Sequence, residues 1–299
     1  MIFLELMMLL VCIAMPLGLA WRIWRLAGAT RAGWLILVAE TLVFFLLILM
    51  IGRWDIAGYY TRFAVIAVMI LALVLSWRRN SASGWAGRSG KSWKAQWPSL
   101  LSLAFFGSAA VYVALGFLPG EDVRQMAFPL RGGDFVVGQG GGNALLNYHS
   151  THRAQRFAAD FTALNRFGFR ADGIALDDPT RYAVYGSTVV SPCDGKVVSV
   201  RDGLPDQRPP KRDRENATGN HVMLDCDGIR VELAHLQPGS IAVAVGDPVT
   251  ARQRIALVGN SGNTTEPHLH IHAIDPESGE GVRIAFDGRV PIRNRTFAN

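Results

Sequence analysis

The apolar positions of the chain form two different patterns, and the first fills residues 1–120. Four long apolar runs with few interruptions stand at residues 6–20, 34–51, 63–77 and 99–119. A helix needs about 20 mostly apolar residues to cross a bilayer. Tryptophans mark the ends of these runs, where amphipathic rings favour the lipid headgroup layer. The pattern predicts a transmembrane anchor of about four α-helices over residues 1–120, with the lipid bilayer as its partner.

The pattern changes after residue 120. Short runs rich in β-branched residues now follow one another, separated by Gly, Pro, Asn and Asp. These runs predict strands at residues 134–138, 188–191, 196–200, 221–225, 229–234, 241–244, 254–258 and 268–273. The polar stretch 202–220 predicts a surface loop between two of them. Residues 121–299 are therefore predicted to form a mainly antiparallel β domain.

Charge separates the same two parts. Residues 1–120 carry ten Lys and Arg against three Asp and Glu, whereas residues 121–299 carry twenty against twenty-one. The net charge of +6 therefore belongs to the apolar part, and the β domain shows no sign of binding nucleic acid. Basic residues follow the first and third runs, at Arg22, Arg25, Arg31, Arg78, Arg79, Arg88, Lys91 and Lys94.

Basic loops stay in the cytoplasm, so this distribution predicts an orientation. Both termini lie outside, in the cytoplasmic (inner) membrane of a bacterium, and the β domain faces the periplasm or the cell exterior. A three-helix arrangement would reverse this orientation. A cleavable signal peptide is an alternative for the first run, but Glu5 replaces the basic segment it needs, and three more runs follow.

Glu40 interrupts the second run, and an acid inside a membrane can mark a transport pathway. A single acid defines no such pathway, and the runs lack paired charges and repeats. An acid packed between helices is therefore the preferred interpretation. A transporter or sensor with an accessory outer domain remains a weaker alternative.

Histidines carry the chemistry of the β domain. All seven lie at or after residue 149, and the strand predicted at 268–273 places three on one face: His268, His270 and His272. Neutral imidazole is a frequent metal ligand and a good general base. A closed structural site needs four ligands, often cysteines, whereas a catalytic site needs three and an open position. The sequence favours a catalytic metal site, with its other ligands in residues 147–161 or 233–237.

Several sequence motifs in residues 121–299 resemble those of the lysostaphin-type (LytM-like) zinc metallopeptidases, which have the duplicated hybrid motif β fold. The resemblance covers about residues 130–290. Its segments are Ser191–Val198, Gly219–Val222, Leu233–Leu236, Gly246–Asp247, Val258–Asn263 and Pro267–His270. The resemblance implies zinc (Zn2+) as the cofactor and His235 and His268 as the catalytic pair.

The family's first block, a His followed four residues later by an Asp, is altered here, because Arg156 stands four residues before Asp160. Some branches of the family carry Asn-x-His and then Gln-Arg-aromatic-Ala-x-Asp, which resembles residues 147–149 and 155–160. The resemblance then implies His149, Asp160 and His270 as zinc ligands. His152 is the alternative to His149 as the first ligand.

By this resemblance the chain is a membrane-anchored zinc metalloendopeptidase. It would hydrolyse peptide bonds in the cross-links or stem peptides of peptidoglycan with a zinc-activated water. The alternative is a catalytically inactive module of the same fold that binds the wall or regulates another hydrolase. A secreted peptide is another possible substrate. The sequence leaves open the scissile bond, the general base, the oligomeric state, and whether Cys193 and Cys226 form a disulfide.

Overall fold

The computed structural model of the protein describes residues 2–26, 30–82, 84 and 96–298. Its helices are α1 (Ile2–Leu9), α2 (Met15–Arg25), α3 (Arg31–Ile51), α4 (Trp54–Ala57), α5 (Thr61–Asn80) and α6 (Trp97–Leu115). The π-helical segment Leu10–Ala14 joins α1 to α2. Contacts divide the chain into two compact units, one over Phe3–Leu115 and one over Gly116–Asn299.

Four helical stretches of the described chain are long and apolar enough to cross a membrane: Ile2–Arg25, Arg31–Ile51, Thr61–Asn80 and Trp97–Leu115. The prediction of four apolar N-terminal helices is confirmed. Arg88, Lys91 and Lys94, used to predict the orientation, lie outside the described residues.

Polar groups on these helices find partners within the same unit. Glu40 of α3 pairs with Arg22 of α2, with Oε2 and Nη2 3.2 Å apart. The indole Nε1–H of Trp34 donates to Ser76 Oγ on α5, across 2.9 Å. Glu40 is thus packed against a neighbouring helix, because an apolar surrounding favours a paired charge over an isolated one.

The second unit is built from short strands. They are β1 (Arg124–Met126), β2 (Leu130–Arg131), β3 (Asp134–Gln139), β4 (Ala159–Leu164), β5 (Thr188–Val190), β6 (Gly195–Arg201), β7 (Asn220–Cys226), β8 (Ile229–Leu236), β9 (Pro248–Val249), β10 (Arg254–Leu257), β11 (Leu269–Ile274), β12 (Gly281–Val282), β13 (Ile284–Phe286) and β14 (Thr296–Ala298). The largest sheet has the order β14-β3-β4-β11-β8-β7-β6-β9, with β12 pairing beside β11. Its pairings are antiparallel. The predicted fold class is confirmed.

One face of this sheet forms the core. Leu269 and Ile271 of β11 are fully buried there, with Leu233 of β8 and Phe161 of β4. Successive residues of a strand point to opposite faces, so the same strands present their histidines and acids on the other face. A smaller antiparallel sheet, β10-β5-β2, contributes to the core, and β1 and β13 pair in parallel.

Two features of the β unit differ from the sequence prediction or add to it. The prediction of a strand at 241–244 is wrong: Ala242 N–H donates to Ile255 O, but Ala244 N–H donates to the side chain of Asp247, so no ladder continues. A disulfide joins Cys193 to Cys226, with their Cα atoms 5.9 Å apart.

Candidate metal centre

Strand register brings the central residues of the site together. His270 of β11 lies opposite Asp160 of β4 on one side and opposite Ala234 of β8 on the other. Directly opposite side chains on one face have Cβ atoms about 4.5–5.5 Å apart. His270 and Asp160 therefore meet, although 110 residues separate them in sequence.

His149, the third residue of the site, lies in a short turn. The 3-10 helix Tyr148–Thr151 begins after Asn147, whose side-chain oxygen accepts the N–H of His149. Asn147 is fully buried, and its Nδ2 donates to Ala158 O across 2.9 Å, just before β4. This asparagine thus fixes the turn against β4 and turns His149 towards Asp160.

The three side chains form a compact, buried cluster. Asp160 Oδ1 lies 2.8 Å from His270 Nδ1 and 3.1 Å from His149 Nε2. One potential ligand atom from each residue lies within 4.8 Å of the others. Burial alone would raise the pKa of Asp160, but His149 and His268 and the hydrogen bonds from His149 and His270 hold it well below its usual value. Asp160 is therefore ionised at neutral pH.

This cluster fits zinc. Tetrahedral ligand bonds of about 2.0–2.1 Å place neighbouring ligand atoms about 3.3 Å apart, close to the spacing of these nitrogens and oxygens. Two imidazoles and one carboxylate also match the donor set of catalytic zinc sites. Among the residues that the structure describes, His268 Nε2 has no hydrogen-bond partner; it is buried, 3.7 Å from Asp160 Oδ1. A buried polar atom in this state is expected where a site binds something more.

His268 and His235 are both oriented by main-chain carbonyls. His268 Nδ1 lies 2.9 Å from Glu266 O, and His235 Nδ1 lies 2.9 Å from Ser261 O. A carbonyl only accepts, so Nδ1 carries the proton in both rings and Nε2 is left as an acceptor. Burial, and then the neighbouring His268 and His270, lower the pKa of His235 well below its usual value. The ring centroids of His235 and His268 are 4.8 Å apart.

The backbone at His235 is unusual. Its φ is +62°, in the left-handed region that side chains other than glycine rarely adopt. The pairing of β7 with β8 shifts register between Asn220 and Val222, opposite this residue. Asn220 holds the irregularity, because its Nδ2 donates to Leu236 O and its N–H donates to Ser261 Oγ. Such conformations cluster at functional sites, where surrounding contacts maintain them.

His272 is also buried, on the same face as His270. Its Nδ1 lies 3.1 Å from His270 Nε2 and 4.0 Å from Glu232 Oε1 of β8. Burial, with the neighbouring His270 and His149, lowers the pKa of His272 to about 3. Burial raises the pKa of Glu232, against the opposing effect of His221.

A cleft of about 520 Å³ opens onto the cluster. His149, His235 and His270 lie in its floor, and the segments 152–155 and 217–218 line its sides. His152 is an exposed residue of this rim. Of the two alternatives for the first ligand, the structure brings His149 to Asp160 and leaves His152 outside the cluster.

Some residues of the site carry no strong sequence signal. Asn220 and Ser261 stand inside the family-like motifs, but only the structure shows them buried around His235. Glu232 is the single acid in the apolar run 229–236, which could have marked it as a residue with a special role. Arg170 and Glu266 form a largely buried ion pair although 96 residues separate them in sequence, and no local sequence pattern predicts this pair.

The two histidines and the aspartate, beside two further oriented histidines, offer the donor set that catalytic zinc sites use. Residues 179–292 match the model described as "Peptidase family M23". The C-terminal part of the chain therefore carries a peptidase M23 domain. The matched segment includes His235, His268 and His270, whereas His149 and Asp160 precede it.

Solved structures give further similarities. The chain is 20% identical to the catalytic domain of the prophage-encoded M23 protein EnpA from Enterococcus faecalis, over 55% of this chain and 95% of that one, with a TM-score of 0.34. It is 23% identical to lysostaphin, over 40% and 36% of the two chains, with a TM-score of 0.26. It is 22% identical to a zinc-containing peptidase from Vibrio cholerae, over 42% and 48%, with a TM-score of 0.27.

The similar region thus spans about a third of lysostaphin and about half of the Vibrio cholerae peptidase. No curated protein matches the chain.

Proposed function

We propose that the protein is a zinc metalloendopeptidase that cleaves peptide bonds of peptidoglycan, in cross-links or stem peptides. The observation that carries this proposal is the convergence of His149, Asp160 and His270 at a cleft lined by the two histidines, beside His235 and His268. Peptidase M23 domains typically belong to cell-wall hydrolases, which supports the choice of substrate.

His149, Asp160 and His270 would hold the zinc ion. When bound, zinc polarises a peptide carbonyl and makes a water acidic enough to ionise near neutral pH. The chain's own residues would then transfer the protons. His235 and His268 each donate Nδ1–H to a carbonyl, which leaves Nε2 free to take a proton from water or return it to the leaving amine.

The N-terminal unit supports a proposal about where in the cell the protein acts. We propose that its four helices anchor the protein in the bacterial cytoplasmic membrane, with the peptidase domain in the periplasm or outside the cell. The basic residues after the first and third apolar runs favour this orientation. The Cys193–Cys226 disulfide also supports it, because disulfides persist in oxidising compartments.

The test uses the full-length protein in detergent with purified peptidoglycan, and mass spectrometry of released fragments. We expect new free amines at one defined peptide bond, lost with a chelator and restored by zinc. His149→Ala and His270→Ala should lose both zinc and cleavage, whereas His152→Ala should keep its zinc. Equal digestion by wild type and His270→Ala would refute metal-dependent cleavage.

An inactive module that binds the wall or regulates another hydrolase is the second candidate. The altered first block of the motif favours it, because the family match begins only at residue 179. A wild-type protein that binds no zinc and releases no fragments, yet sediments with peptidoglycan, would establish this second function instead.

A further inference from the structure

The ligand candidate His270 has a second nitrogen that faces away from the metal centre. Its Nδ1 is directed to Asp160 Oδ1 at 2.8 Å, and its Nε2 lies 3.1 Å from His272 Nδ1. Both imidazoles are 3% exposed. His272 is the residue that the sequence places on the histidine face and for which the family resemblance gives no role.

The hydrogen-bonding capacity of imidazole decides which protons lie between the two rings. A neutral imidazole that offers Nδ1 as a ligand carries its proton on Nε2. That N–H is buried and needs an acceptor, because a buried donor left unpaired costs about 1–3 kcal/mol. Within the described residues, His270 Nε2 lies within hydrogen-bond distance of His272 Nδ1. His272 must therefore offer Nδ1 as an acceptor and carry its own proton on Nε2.

Glu232 does not compete for His272 Nδ1. Its Oε1 lies 4.0 Å from that nitrogen, which is too long for a hydrogen bond, and among the described residues this oxygen is buried without a hydrogen-bond partner. A second imidazole thus lies beside His270 Nε2, where a carboxylate, a carbonyl or a water commonly accepts the N–H of a metal-binding histidine.

We infer that His272 is a positioning residue, which holds His270 in the tautomer and ring orientation that present Nδ1 to a zinc ion. This inference rests on the proposed function, because it needs His270 to be a zinc ligand. Groups that orient metal-binding histidines typically change metal affinity by about 10–100-fold when they are removed.

Two substitutions of His272 separate positioning from packing. His272→Phe keeps a ring of similar size but offers no acceptor to His270. His272→Asn is smaller, but its Oδ1 stands close to the place of Nδ1 and can accept the same hydrogen bond. His221→Phe is the matched control, because His221 is a half-buried histidine of β7 that hydrogen-bonds to Thr218 and Gly219.

The measurement is zinc affinity of the full-length protein in detergent, by competition with a chromogenic chelator. We expect His272→Phe to bind zinc about 10–100-fold more weakly, with His272→Asn closer to wild type and His221→Phe unchanged. Amide hydrogen exchange in β8 and β11 checks that each variant is folded. Folded His272→Phe that binds zinc as tightly as wild type would overturn the inference.

A second measurement needs no variant. In wild-type protein loaded with zinc and labelled with 15N-histidine, His270 is expected to carry its proton on Nε2 and to show a coupling across the hydrogen bond to His272 Nδ1. Protonation of His270 on Nδ1 would overturn the inference even if His272→Phe failed to fold. Absence of zinc binding by wild type would overturn the proposed function as well, whereas tight binding by both wild type and His272→Phe would overturn only the role of His272.

Discussion

The ion pair between Arg170 and Glu266 gives the sharpest prediction about stability. Arg170 Nε and Nη2 both donate to Glu266 Oε2, across 2.8 and 2.7 Å, and the two side chains are 5% and 18% exposed. Glu266 also belongs to the turn before β11, where its main-chain oxygen accepts from His268 Nδ1. We expect Arg170→Met to destabilise this turn and the strand that follows it.

The magnitude follows from burial. Removing one partner of a buried pair costs about 3–5 kcal/mol, because the other charge loses its compensation in a medium of low polarity. Glu266 keeps some contact with solvent, so the lower value, about 3 kcal/mol, applies here. Each 1.4 kcal/mol is a factor of ten, so amides of β11 that exchange through this opening should exchange about a hundredfold faster.

The assay is amide hydrogen exchange of the full-length protein, with Arg170→Met, Glu266→Gln and the double variant. The double variant removes both charges, so it should recover much of the loss, and the coupling free energy should lie between about 0.5 and 3 kcal/mol. Losses in the two single variants that simply add in the double variant would refute the argument, because they would show packing effects without an interaction between the charges.

Two further predictions concern other parts of the β unit. Burial raises the pKa of Asp206 against the hydrogen bonds from Asn260 and Tyr185, so its stabilising contribution is complete below its unfolded pKa and is lost as pH rises through the raised folded value. Asp206→Asn should therefore gain stability relative to wild type as pH rises above about 4 in hydrogen exchange, and a difference independent of pH would contradict this. Replacing Cys193 and Cys226 by Ser opens a loop of 33 residues and should lower the free energy of unfolding by about 3–4 kcal/mol, with zinc affinity unchanged. Reduction of wild type should produce the same loss, and no effect of reductant would count against the structural role of the disulfide.

The helices could be predicted because an apolar run needs no knowledge of its neighbours. Their ends could not: Arg22 and Arg25 continue α2 beyond the apolar run, since a basic side chain can reach the lipid headgroups from the last helical turn. In the β unit, alternation identified the two faces of β11. It missed β4 (Ala159–Leu164), a short apolar run in which Asp160 lies next to core residues, because such runs have no distinctive period.

The site was predictable as a set of residue types and less so as a geometry. Motif order named His235, His268 and His270. The choice between His149 and His152 depends on a buried asparagine that fixes one turn, and burial arises from contacts distant in sequence. His272 could be placed on a strand face, but its contact with His270 required the structure.

The β6–β7 hairpin shows how such a protein can diversify. Its base is closed by the disulfide, and its tip is the long loop 202–219, whose last residues line the cleft. Asn220, the first residue of β7, donates to Leu204 O at the start of this loop, and Asp206 accepts the N–H of Asn260. Residues 208–212 can therefore lengthen, shorten or change their sequence during evolution while Thr218 O still accepts the N–H of His235. Under the proposed function, selection can act on which substrates reach the cleft while the proposed metal ligands and the histidine pair stay the same.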